Sequence, residues 1–79
     1  MSPRLPRLTG KQLVKALKKA GFTCKRMEGS HHIMQKTFLE ETATIPVPVH
    51  SGKIIKVGLL NHILRKARLS VNDLVKFLH

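Results

Sequence analysis

Two short runs of β-compatible residues, Phe22–Met27 and His31–Lys36, stand on either side of Glu28-Gly29-Ser30, and this arrangement limits the fold more than any other stretch. Glycine adopts the backbone angles of a tight hairpin loop without a Cβ penalty, and serine suits a turn. The two runs therefore fold back on each other as antiparallel strands. Side chains alternate across a strand, so the adjacent His31 and His32 point to opposite faces. His31 emerges where the backbone bends and the surface is accessible, a useful place for an imidazole that moves protons or touches phosphate. His32 leans toward the other side.

Helical signals flank this hairpin. Thr9 followed by Gln12 matches a capping box, and Leu13, Val14, Leu17 and Ala20 recur at helical spacing up to Gly21, a fitting residue just beyond a helix end. Lys11, Lys15, Lys18 and Lys19 occupy much of the remaining surface of this helix. After the hairpin, Ala43–Val49 reads as a third strand, and its two prolines direct it to a sheet edge because each lacks a ladder donor. His50–Lys53 forms a loop. From Gly58 onward, Leu59, Leu60, Ile63, Leu64 and Ala67 form a second apolar stripe, with Arg65, Lys66 and Arg68 at the end where cations suit the helix dipole. Ser70 and Asp73 make a second capping box for a short terminal helix with Leu74, Val75 and Leu78 inward. The expected fold is α+β, in the order α-β-β-β-α plus a short C-terminal helix. That is the order of the double-stranded-RNA-binding fold.

Charge narrows the choice of partner. With 15 Lys and Arg against 4 Asp and Glu in 79 residues, the net charge is +11, which favours a polyanion, nucleic acid first. Residues 1–8 read as a basic N-terminal arm, and 9–79 as a single small domain with no room for a large cofactor. Cys24 is the sole cysteine, so neither an internal disulfide nor a cysteine-rich zinc site can form. It reads as a small buried apolar residue. No run is long or apolar enough for a membrane span or a signal peptide, so the expected compartment is the cytoplasm. Three scattered phenylalanines do not make a base-stacking platform.

Three motifs in order, Gly29-Ser30-His31-His32, Ile45-Pro46-Val47-Pro48-Val49-His50, and Lys56-Val57-Gly58 running on to Ala67, closely resemble the HicA family of toxins from toxin–antitoxin pairs. The resemblance spans about Lys11 to Leu78. It implies a double-stranded-RNA-binding-like fold, endoribonuclease activity on messenger RNA that arrests translation, and neutralisation by a HicB-type antitoxin covering the active surface. The toxin alone is expected as a monomer, and with its antitoxin as a hetero-oligomer. The family's catalytic histidine lies in the glycine-serine-histidine turn, the position of His31, with His32 as second choice. Leu59 departs from the family, in which a threonine commonly follows the glycine.

The chemistry can also be argued from the residues. RNA carries its own nucleophile, the 2′-hydroxyl, so a catalyst need only move protons and stabilise developing charge. An imidazole, ordinarily titrating near about pH 6.5, can be base or acid in the cell, and cations nearby supply the field. Neither metal nor cofactor is required. Gly29, Ser30, His50, Lys53, Lys56 and Lys36 are the candidate RNA contacts, His50 being either a second acid/base or a binding residue. His62 and His79 are not expected to be catalytic. The alternative function is a non-catalytic RNA-binding module of the same fold.

Overall fold

The computed structural model describes residues 4–79; Met1–Pro3, the start of the segment read as an arm, lie outside them. Helix α1 (Gly10–Lys19) opens on the expected capping box: the Gln12 amide donates to Thr9 Oγ1 at 3.2 Å and the Thr9 amide to Gln12 Oε1 at 2.8 Å. It closes with the Phe22 amide on the Leu17 carbonyl and the Gly21 amide on that of Lys18, Gly21 taking φ 100°. Only glycine meets that left-handed position without strain, so the chain turns sharply there into the sheet.

Strands β1 (Thr23–Glu28), β2 (His31–Thr37) and β3 (Thr42–Pro48) form one antiparallel sheet with β2 in the centre, followed by α2 (Val57–Ala67) and α3 (Val71–Phe77). This is the α-β-β-β-α order with a short terminal helix that the sequence predicts. β3 lies at an edge, as its prolines require. Its register with β2 is unbroken from His31 opposite Pro48 to Thr37 opposite Thr42, and the Val49 amide continues inward to the Ser30 carbonyl at 2.8 Å. Alternate backbone groups point the same way, so the donors missing at Pro46 and Pro48 are outward ones, and the inner ladder stays whole. On the other edge, β1 carries an irregularity between Cys24 and Arg26, with Lys25 as the extra residue.

The sheet is two-faced. Met34, Ile45 and Val47 meet Leu13, Leu17, Leu60, Ile63 and Leu74 in one apolar core, with no polar or charged side chain buried in it among the described residues. Each fully buried leucine or isoleucine contributes roughly 2 kcal/mol of transfer free energy, and nothing polar offsets it. Cys24, expected in the core, is half-buried at its margin. Of the inward set expected in α3, Leu74 is fully buried while Val75 and Leu78 remain half-exposed, because one short helix covers only one flank of α1.

Two contacts fix the end of the domain that carries the hairpin turn. The chain before α1 is joined to the chain before α2: Leu8 is buried, its carbonyl accepts from the Ile55 amide at 2.9 Å, and Thr9 bridges to Ile54. Leu5 packs beside them. Gly10 presses on the end of β3 so closely that a Cβ there would stand 2.0 Å from the Pro48 carbonyl oxygen.

Candidate active site

The hairpin loop has two residues, Gly29 and Ser30, with Gly29 at φ 57°. Positive φ at the first loop residue alone is the pattern of a type II′ turn, whose twist matches the strands it joins. It delivers His31 to the exposed face of the sheet, with Glu28 and Pro48 as its cross-strand neighbours. Glu28 is already engaged, its carboxylate held 2.5 Å from Arg26 Nε. His32 takes the helix-covered face, half-buried between Met27 and Val47.

His50 comes to the same place from the far end of β3. The Ser30 hydroxyl and His50 Nε2 lie 3.4 Å apart, so two exposed imidazoles flank the tip of the hairpin. The loop after His50 is tight: the Lys53 amide donates to the His50 carbonyl at 3.0 Å and Gly52 takes φ 72°. That turn brings Lys53, and then Lys56, back toward His50, and all three line an open hollow of about 190 Å³ with Pro48, Ile54 and Leu59. Lys56 also precedes α2 and offers its first amides no side-chain cap, leaving N–H donors at the positive end of the helix.

Charge is segregated around this end. Of the 4 acids, Glu28 and Glu41 are paired with Arg26 and Arg68, Asp73 caps α3, and Glu40 lies in the loop between β2 and β3. None of them lines the hollow. Among the described residues no three His, Cys, Asp or Glu side chains cluster as metal ligands would, and no helix is long and apolar enough to cross a membrane.

The structure thus gathers Gly29, Ser30, His31, His50, Lys53 and Lys56 at one end of the sheet, and leaves Lys36 out. Lys36 lies at the other end of β2, where its ammonium donates to the Ala20 carbonyl at 2.8 Å and sits 5.1 Å from the ring centre of Phe38. Phe22 and Phe38 meet edge to face there, and Arg68 stacks 4.2 Å from the Phe38 ring. Lys36 is committed to that aromatic cluster. Leu59, read from the sequence as part of the apolar stripe of α2, is instead exposed and lines the hollow with Ile54, because the first turn of α2 projects past the sheet. Sequence reading missed Ile54 and the exposed Val57 that precedes Gly58. The signal available was two apolar residues just before a helical stripe.

A family model described as the HicA toxin of bacterial toxin–antitoxin systems matches residues 10–69, a span that includes the hairpin turn, β3, the hollow and α2. No curated protein matches the chain. No solved structure matches it either.

Proposed function

The chain belongs to the HicA toxin family of bacterial toxin–antitoxin systems, and from that membership we propose that it is a metal-independent endoribonuclease that cleaves messenger RNA. The observation that carries this reading is the 3.4 Å contact between Ser30 and His50, which puts a second imidazole beside the turn that presents His31. Two imidazoles at one phosphate suffice for transesterification. His31 takes the proton of the 2′-hydroxyl as that oxygen bonds to the adjacent phosphorus, and His50 gives a proton to the departing 5′-oxygen as the P–O bond breaks. The products are a 2′,3′-cyclic phosphate and a 5′-hydroxyl, and water added to the first yields a 3′-phosphate. Lys53, Lys56 and the uncapped amides of α2 face the negative charge that grows on the phosphate oxygens. Gly29 keeps the turn narrow enough for the backbone of RNA to approach.

The antitoxin partner that the family implies is, in this proposal, HicB-like and covers the same end of the domain. Ile54, Val57 and Leu59 supply apolar anchorage, and Lys53 and Lys56 meet acidic groups on the partner. Buried apolar anchors carry most binding energy, while rim charges mainly speed encounter. The toxin acts as a monomer in the cytoplasm, where its substrate is.

The test is product analysis on the purified full chain with end-labelled RNA. Cleavage that survives excess chelator and leaves cyclic phosphate supports the proposal. Activity lost to the chelator and restored by a divalent ion would place the enzyme among metal nucleases instead.

A further inference from the structure

The lysines of α1 have no task in the site just described, and only Lys18 and Lys19, in the last turn, suit the dipole of their helix. Lys11, Lys15 and Lys18 recur at i, i+4 and i+7, all exposed and in one row, and no acid stands in the first turn of α1. A cation in that first turn opposes the helix dipole, and like charges one turn apart repel. No ion pair within the described residues offsets this: the two present involve Arg26 with Glu28 and Arg68 with Glu41. Lys19 differs from the row, since its ammonium donates to the His79 carbonyl at 3.0 Å.

The row is also placed with respect to the candidate site. α1 starts where Gly10 presses on the Pro48 carbonyl, two residues before His50, and Thr9 bridges to Ile54 beside the hollow. From there the lysines lead away over seven residues, roughly 10 Å of helix, which matches about three phosphates of one strand. Resting on the ribonuclease reading, we infer that Lys11, Lys15 and Lys18 form a phosphate rail that holds the RNA strand outside the nucleotides being cleaved. An acidic protein is the weaker occupant. Gln12 is the uncharged exposed residue among these lysines, and the groove lined by Leu8, Ala16, Phe77 and Leu78 borders Lys15 but neither Lys11 nor Lys18. The row is therefore not centred on an apolar patch as a protein interface would be, whereas phosphates need only charge.

The experiment uses the full chain with Lys11→Gln, Lys15→Gln and Lys18→Gln together, against a control triple of equal charge loss, Arg65→Gln, Lys66→Gln and Lys76→Gln. Glutamine keeps helix propensity, and circular dichroism checks both folds. The ligand is a labelled 12-mer RNA with 2′-O-methyl groups, which cannot be cleaved, titrated at several salt concentrations. The rail variant should bind at least tenfold more weakly at low salt, and its log–log salt slope should fall by about 2, given roughly 0.7 per single-strand phosphate. Cleavage of a dinucleotide, too short to reach the row, should stay within twofold of wild type. Equal losses in the two triples, or an unchanged slope, overturn the rail. So does intact RNA binding with weakened antitoxin binding, which makes the row a protein interface. If wild type binds the 12-mer through the row yet cleaves no RNA, the rail stands and the ribonuclease reading falls.

Discussion

The Ser30 hydroxyl and His50 Nε2, separated by twenty residues of sequence, stand 3.4 Å apart and tie the hairpin turn to the end of β3. The same two segments are joined through the backbone, where the Val49 amide reaches the Ser30 carbonyl. The position of one imidazole therefore depends on the strand that carries the other.

His50→Ala should lower RNA cleavage about 10²- to 10⁴-fold, and His31→Ala by a similar factor, with the double variant little worse than either. Both side chains are exposed, so melting temperatures should stay close to wild type. His32→Ala should be milder in cleavage and more costly in stability, because His32 is half-buried against Val47. Cleavage rates beside thermal melts separate these cases. Wild-type cleavage by His31→Ala would sink its assigned role.

Gly10→Ala should destabilise the domain by about 3 kcal/mol, since the new methyl would meet a backbone carbonyl that cannot swing aside. Gly58→Ala is the contrast. Nothing lies within 4 Å of a Cβ there, and alanine in α2 should stabilise by about 0.5 kcal/mol. Urea midpoints at unchanged slope give both values. A harmless Gly10→Ala would mean that α1 and β3 are not packed as described.

Asp73 links α3 to pH. The Ser70 amide, then the Ser70 hydroxyl and the nearby Lys76, hold its carboxyl below the ordinary 3.8. A group lowered on folding stabilises above its unfolded value, and that contribution disappears as pH falls through the folded one. Acid should thus fray α3 in the wild type, and Asp73→Asn should remove the part of the pH dependence that this carboxyl causes. Amide exchange in α3 between pH 5 and pH 2 is the measurement, and identical profiles for the two proteins would refute the link.

Ile54→Ser and Val57→Ser should each weaken antitoxin binding ten- to a hundredfold while RNA cleavage changes less than about twofold. Val57 is 62% exposed, so its substitution leaves the core alone. Calorimetry with the purified antitoxin reads the first effect. Unchanged affinity in both would move the anchor elsewhere.

The elements were legible where local chemistry decides them. Thr9 with Gln12 and Ser70 with Asp73 announce helix starts, Gly29 announces the turn, and the prolines announce an edge, because each effect acts within a few residues. His31 and His50 were legible as candidates, but their meeting through Ser30 was not, since it depends on strand register across twenty residues. Lys36 misled for the same reason: a lysine in a basic chain reads as a phosphate contact until Ala20 and Phe38 are found beside it. Gly10 gave no warning. At the first position of a helix glycine looks merely permissive, and only the neighbouring Pro48 carbonyl makes it obligatory.

The outward-facing prolines of β3 have a consequence for the protein at high concentration. A sheet rim with free donors is a template on which another copy can add its own strand, and repeated addition builds fibres. Pro46 and Pro48 deny that rim two donors, and the irregular, charged stretch around Lys25 breaks up the opposite rim. Both borders of the sheet are thereby blunted as templates for a further strand. Pro46→Val, which returns one donor at an outward position, should make the protein more prone to thioflavin-positive aggregates on storage, and equal solubility of the two would show that the rim is guarded by charge alone.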